Sequence, residues 1–523
     1  MESLKGTIVN VDGDLLWYVY CSEKGEVDDI ENALKEYVKG YANSGISDLI
    51  FCTFSQDSCV PTKVMTRRGE KYDKKIENGE SVDYTSNWRV KCCYDIHNAT
   101  KRLPYEILIE ETKKYGMNAW VSIRMNDSHY PFEKTSFIRG DLFYEAEEKG
   151  WVIGQNAPTR YFVHCFDYAV KEIRDKMLAY IFETLDNYDV DGIELDFQRE
   201  IVCFDYQNNP DCHKLMTELM REVKKYVLLK EKERNHSIKI GVRLVRDLKH
   251  NKTFGFDVET WVKEGLVDLV VPTSRFENTD SGIPVCDWKK MIEGTSVKVY
   301  AGLEKLLFYP YINSLETLKG FASQYLDLGV DGIYLFNYFR YKAREKDLTK
   351  DDLSKIKDEA FTKLFSFNNL TEDKLRDIWN CCSDIKKAKK GKRRHVLTYT
   401  ESLMVPNGET AWRILPKEIN GEFNVLMETG DLTDSKTFLY LGVDDGGEIK
   451  SVKVDGKKVL GKLATDGYFV KNAELLVPPC EISRVYDNAK YFCYEFTANN
   501  EKGVSITIDG NCTLRYIEIV AKN

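Results

Sequence analysis

Glu194, Asp196 and Gln198 occupy alternate positions in the stretch DVDGIELDFQRE, residues 189–200. Alternate residues of a β-strand share a face, so this spacing sets three polar side chains on one side of a strand. At about 3.3 Å per residue, Glu194 lies roughly 13 Å deeper along that face than Gln198. Buried carboxylates are costly unless partnered. Two of them on an inner face therefore point to a polar site, or to an internal ion-pair network, rather than to packing. Arg199 and Glu200 follow directly. A guanidinium beside paired acids can act as a fork for a carboxylate or for hydroxyls, or be a surface residue at a strand end.

Other strand ends carry compatible chemistry. SIRMNDSHY (122–130) contains Arg124, Asn126 and His129. A histidine titrates near neutrality and is the natural proton carrier where a carboxylic acid is missing. VNVDGDLLW (9–17) brackets Gly13 between Asp12 and Asp14. One reading is an Asx-type turn; the other is a general acid or base. LFNYF supplies Asn337 and Tyr338, and Arg243, Arg246, Arg275 and Glu304 are weaker rim candidates. No histidine pair is spaced H-x-x-x-H, no CxxC occurs, and no cluster has metal-ligand spacing. Neither metal nor cofactor is expected, which disfavours a metal-dependent deacetylase despite the VDGD turn. A glycine-rich phosphate loop and a G-x-S-x-G elbow are also absent.

These residues need a scaffold that gathers strand ends. Eight apolar segments have strand character: 6–11, 47–54, 118–125, 190–197, 238–245, 267–273, 297–303 and 330–337. Helical patterns separate them, as in 166–188, where Ala169, Ile173, Met177, Ile181 and Leu185 form one stripe. Eight β-α units predict an α/β fold, a (β/α)8 TIM barrel over residues 1–365. V-D-G-I-x-L recurs at strands four and eight, and its glycines are expected to serve tight strand entry. Long connections at 55–104 and 126–165 fall at the end of the barrel where active sites are built. Residues 366–395 read as a helical and basic linker, with KKAKKGKRRH as a solvated run. Residues 396–523 alternate strands with turn signals and predict an all-β sandwich. The tail is expected to bind carbohydrate, to pack on the barrel, or to pair with a second subunit in a homodimer.

The 523 residues exceed what one core holds, and the net charge of -9 argues against a nucleic-acid partner. No run approaches a membrane span, and MESLKGTIVN lacks an apolar leader core. The 14 cysteines show no regular spacing and are expected as reduced thiols of a cytoplasmic protein.

Residues 189–200 are similar to the fourth strand of family 18 chitinases, D-x-x-D-x-D-x-E, with Gln198 in place of the catalytic acid. An amide cannot donate a proton as a carboxylic acid does, so the acid is expected elsewhere. VDGIELDF-x-R, RMND-x-H and GIYLFNYF together resemble glycoside hydrolase family 156, the inverting exosialidases, over roughly residues 6–365. That resemblance implies a hydrolase acting on a sialoside or other acidic glycan, with a β-rich C-terminal region. It implies catalytic roles for His129 and for Asp14 or Asp12, and sugar contacts from Arg124, Arg199 and Asn337. Glu194 and Asp196 are then expected to hold the arginines and substrate hydroxyls, with Asn126 and Tyr338 beside them. Which of His129 and the aspartate is acid and which base stays open. A uronic acid glycosidase on the same scaffold and a non-catalytic carbohydrate-binding barrel are the alternatives.

Overall fold

Each apolar segment expected as a strand is one. The computed structural model of the chain describes residues 6–13, 15–16, 29–70, 75, 78–79, 96–97, 99–100, 102–129, 138–274, 279–304, 314–340, 372–398, 415, 417–464 and 489–523. The strands are β1 (Gly6–Val11), β2 (Ile46–Phe54), β3 (Asn118–Arg124), β4 (Gly192–Asp196), β5 (Lys239–Val245), β6 (Leu269–Thr273), β7 (Lys298–Glu304) and β8 (Gly332–Phe336). All are parallel, each pairs with the next, and β8 pairs back to β1, closing the barrel. This is the TIM barrel that the β-α alternation predicted.

Alternation sorts the side chains into two cores. Ile193 and Leu195 of β4 face the outer helical layer and belong to the large cluster there. The barrel interior holds a separate cluster that includes Trp120, Val271, Tyr300, Tyr334 and Phe336. Helix α1 (Lys171–Asn187) lays Ile173, Met177, Ile181 and Leu185 on the barrel, as the stripe predicted, while Ala169 precedes the helix.

The V-D-G repeat has a structural meaning. Asp331 N–H donates to the Val299 carbonyl at 2.8 Å, and its carboxylate accepts the Val299 N–H at 3.0 Å. Asp191 and Ala119 exchange the same two bonds, both 2.8 Å. Each aspartate thus stitches its strand onto the one before it. The glycine that follows makes room for a ring. A Cβ on Gly192 would lie 2.3 Å from the Trp120 indole, and one on Gly332 would lie 2.3 Å from the Tyr300 ring. The expected role in strand entry is replaced by this close approach.

The C-terminal region is the antiparallel all-β unit expected. Its spine is the long strand Val504–Lys522. Its first half pairs with 417–427 on one side and 448–454 on the other. Its second half pairs with 436–443 and with β9 (Arg393–Val396). The basic run is therefore no solvated linker at its end: Arg393, Arg394 and His395 are buried. Arg394 is paired with Glu518, Nη2 to Oε2 3.0 Å, inside the sheet. The unit packs on the barrel's last helices. Ser281 and Thr398 exchange bonds of 2.8 and 3.1 Å, and a Cβ on Gly320 would collide with the Arg394 carbonyl.

Gly192→Ala should lower stability by about 1–3 kcal/mol through overpacking against Trp120. The readout is the chemical denaturation midpoint at unchanged slope. An unchanged midpoint would show that the indole can yield.

Candidate active site

The inward positions at the C-terminal strand ends carry charge instead of apolar bulk. Arg124 on β3, Asp196 on β4 and Arg243 on β5 are register partners across three adjacent strands. Asp196 is completely buried and fully engaged. Its Oδ1 accepts Arg243 Nε and the amides of Gln198 and Arg199, all at 2.9 Å, and its Oδ2 accepts Arg243 Nη2 at 2.9 Å. The Arg243 guanidinium lies 3.9 Å over the Phe336 ring, so its outer face is covered too. Asp196, expected as a sugar contact, thus has its oxygens on Arg243 and two backbone amides. Its two amide bonds turn the chain as β4 ends, so Gln198 is not a strand residue and the strand-four chitinase parallel stops at Asp196.

The mouth itself is a chain of alternating charges. Arg124 is buried, and its Nη2 donates to Asp12 Oδ1 at 2.7 Å while its Nη1 donates to Asp127 Oδ2 at 2.9 Å. The other oxygen of Asp127 accepts the His129 amide at 2.9 Å and meets the His129 Nδ1 at 2.5 Å. Arg199 Nη2 lies 2.5 Å from His129 Nε2 and 3.2 Å from Nδ1, within reach of both ring nitrogens. Arg199 Nη1 lies 3.5 Å from Glu200, which also accepts the Tyr161 hydroxyl at 3.0 Å. Asp127 has no side-chain exposure, whereas His129 is 37% exposed and Asp12 25%. The two groups that can meet a substrate are thus mounted on buried partners. The guanidinium groups of Arg124 and Arg199 meet Asp12, Asp127 and Glu200, while Asp196 holds Arg199 through its backbone amide. Asp14 lies outside the described residues, as does Arg275.

Charge states follow from these contacts. Burial alone would raise the Asp12 carboxyl, but Arg124, then His129, the Gly13 amide and Arg68 outweigh it and hold it below its ordinary value. For Asp127 burial is again opposed, here by His129, Arg199 and Arg124, and the carboxyl stays far below its usual range. Burial works against the Arg199 charge, yet Asp127 and Glu200 keep it firmly protonated.

The loop after β2 locks this geometry. Gln56, at φ 74°, donates through Nε2 to the Asp127 carbonyl at 2.8 Å and the His129 carbonyl at 3.0 Å. Beside it Arg68 and Asp57 form a buried pair, Nη2 to Oδ1 2.9 Å. Asn126, expected as a sugar contact, is buried and staples loops instead. Its Nδ2 donates to the carbonyls of Phe166 and Val202 at 3.0 and 2.9 Å, and its Oδ1 accepts the Phe166 amide at 2.9 Å. Tyr338 is also buried, with its hydroxyl turned to the Glu304 carbonyl at 3.3 Å. Asn337 reaches the mouth with φ 65° and donates to Glu304 Oε1 at 2.8 Å. Arg246 pairs with Asp280 at 2.6 Å, toward the C-terminal unit. Asp127, Gln56, Arg68 and Tyr161 were not foreseen. Only Asp127 carried a signal, an acid two residues before His129.

One layer deeper, Glu194 is completely buried. Its Oε1 accepts Asn10 Nδ2 at 2.9 Å and Ser122 Oγ at 2.7 Å. Its Oε2 makes no hydrogen bond of standard geometry, with the Tyr334 phenol as neighbour. Burial first, and the negative Asp196 second, push this carboxyl up to about 7, against the pull of Arg243. Glu194, expected as a sugar contact, therefore lies beneath the layer of Arg124, Asp196 and Arg243, without exposed surface.

Among the described residues no group of three His, Cys, Asp or Glu side chains could hold a metal ion, and no helix is long and apolar enough to cross a membrane. No protein-family model matches the chain, and no curated protein matches its sequence. Solved structures with a similar course include the α-galactosidase AgaA of glycoside hydrolase family 36 from Geobacillus stearothermophilus. It is 9% identical with a TM-score of 0.37, over 97% of this chain and 56% of that one. The chain thus spans little more than half of that enzyme's length. α-L-Fucosidase isoenzyme 1 from Paenibacillus thiaminolyticus is 12% identical with a TM-score of 0.33, over 97% and 96% of the two chains. Chitinase ChiW from a Paenibacillus species is 8% identical with a TM-score of 0.38, over 99% of this chain and 41% of that one.

Glu194→Gln keeps the acceptor for Asn10 and Ser122 and cannot ionise. Because the folded pKa of Glu194 is raised, its neutral form contributes fully below pH 4.5, and that contribution is lost as pH rises through about 7. The variant should match the wild type near pH 4.5 and exceed its stability above pH 7, by on the order of 3 kcal/mol. Parallel stability profiles of the two proteins would show that Glu194 is ionised throughout.

Proposed function

We propose that this protein is a glycoside hydrolase that releases a terminal acidic sugar, sialic acid foremost, with inversion at the anomeric carbon. The observation that carries this reading is the Asp127–His129 pair, which shares Arg124 with Asp12 at the barrel mouth. An inverting reaction needs an acid on the leaving oxygen and a base on a water across the ring. Asp127 accepts the Nδ1 proton of His129, which leaves a lone pair on Nε2, the form a general base requires. Nε2 takes a proton from the water as its oxygen attacks the anomeric carbon. The glycosidic C–O bond breaks, and the leaving oxygen receives the proton of Asp12.

Asp12 must be protonated for this step, and Arg124 is what keeps it ionised in the empty site. A substrate carboxylate that draws on Arg124 weakens that hold, while closure of the site strengthens the opposing effect of burial. Binding of an acidic sugar thereby raises the proton affinity of its own general acid. Asn337 and Arg199 are the further sugar contacts. A uronic acid offers the same carboxylate and is the neighbouring substrate class.

A second reading is a carbohydrate-binding barrel without turnover. The complete pairing of Arg124 and Asp127 favours it, since a network closed on itself can serve recognition alone.

The test is hydrolysis of an aryl and an alkyl α-sialoside, and of the matching uronides, with the released anomer followed by proton NMR. The wild type should release the inverted sugar. His129→Ala should lose about 100- to 10,000-fold on both aryl and alkyl substrates, the usual contribution of a general base. Asp12→Asn should lose that much only on the alkyl substrate, whose leaving oxygen needs the proton. Binding of the acidic sugars with no turnover of any substrate would establish the second reading. Equal losses for Asp12→Asn on both substrates would remove it as the acid.

A further inference from the structure

Gln56 is the tip of a tight hairpin. Phe54 and Ser58 form an antiparallel bridge, and the Ser55 amide donates to the Asp57 carbonyl at 3.0 Å. The tip has φ 74°, in the left-handed region where a Cβ crowds the backbone. Five non-glycine residues take a positive φ among the described residues. Four are asparagine or aspartate, whose short polar side chains tolerate that region, and Gln56 is the exception. Glycine would serve the turn without this penalty. The glutamine must therefore be explained by what its side chain does.

That side chain is buried and reaches across to the loop after β3. Its Nε2 donates to the Asp127 carbonyl at 2.8 Å and to the His129 carbonyl at 3.0 Å. Both partners are acceptors, which fixes the orientation of the amide. One nitrogen thereby pins both ends of the turn 127–129. Within that turn Asp127 Oδ1 accepts the His129 amide and meets the ring at Nδ1. The hairpin tip cannot relax, because Arg68 clamps the residues on either side of it. Its Nη2 donates to Ser55 Oγ at 2.6 Å and to Asp57 Oδ1 at 2.9 Å. Backbone strain persists only where surrounding contacts over-determine it, and it gathers at functional sites. We propose that Gln56 is a positioning residue for the base, held in a strained conformation so that its carboxamide can set the His129 ring on Asp127. The effect on turnover rests on the glycosidase reading above, and the effect on the ring does not.

The experiment compares Gln56→Ala with Gln56→Gly. Both remove the carboxamide, and only the first keeps the strained Cβ. Denaturation midpoints, 15N NMR of the His129 ring, and kcat and KM on an alkyl α-sialoside are recorded for each. Gln56→Gly should be the more stable variant, because glycine adopts a positive φ freely. In both, the neutral His129 ring should lose part of its preference for a proton on Nδ1. In both, kcat should fall by about 10- to 100-fold, the size of a misplaced catalytic group, with KM changed less than about threefold. If Gln56→Ala does not fold, Gln56→Gly still carries the ring and rate measurements. An unchanged ring preference would overturn the positioning role whatever happens to kcat, since a general loss of structure also lowers turnover. Equal stability of the two variants would overturn the strain. A shifted ring preference in a chain whose wild type hydrolyses no sialoside would support the positioning of His129 and overturn the glycosidase reading.

Discussion

Arg124 places one buried guanidinium between two carboxylates from different strand ends, Asp12 after β1 and Asp127 after β3. Everything at the mouth depends on that fork. It holds Asp12 ionised, it orients Asp127 so that its second oxygen meets His129, and through His129 it sets the place of Arg199. Buried ion pairs seldom add stability, because desolvation offsets most of the attraction. Their value here is geometric. A planar fork with fixed donor directions fixes two acids at once, which a lysine could not do.

The barrel supports this arrangement layer by layer. Aromatic rings fill the bottom, with glycines on β4 and β8 making the space. The middle layer is polar but uncharged if Glu194 keeps its proton, with Asn10 and Ser122 donating to it. The top layer is fully ionic. Asp196 and Arg243 form its floor, since Asp196 spends all its acceptor capacity on Arg243 and on two amides of the turn after β4. Charge thus increases toward solvent, in the direction that costs least free energy. Acid and guanidinium groups nearly balance, so an incoming anion must exchange partners with an existing pair. In the proposed glycosidase that exchange is what would couple recognition to proton transfer.

Much of this was legible in the sequence. Strand alternation and the spacing of eight apolar segments are local signals, and they predict the barrel and put Asp12, Arg124, His129 and Arg199 at strand ends. Roles were harder, because they depend on partners far along the chain. Asn126 looks like a sugar contact until the carbonyls of Phe166 and Val202 consume its amide. Gln198 looks like a strand residue until the Asp196 side chain captures its backbone. Asp127 reads as one more polar loop residue unless its distance to the His129 ring is known. The basic run reads as a linker because its partner strand is far away: Arg394 meets Glu518 across 124 residues. Nothing local in KKGKRRH announces that pairing.

The central claim is that buried Asp127 holds the His129 ring through Nδ1–H, so that Nε2 is the acceptor whenever the ring is neutral. The most direct measurement is the 15N NMR of the His129 ring in the unliganded protein, compared with Asp127→Asn. The account predicts that the neutral ring of the wild type carries its proton on Nδ1, and that the variant loses that preference. A neutral ring with its proton on Nε2, or a tautomer indifferent to Asp127→Asn, would contradict it.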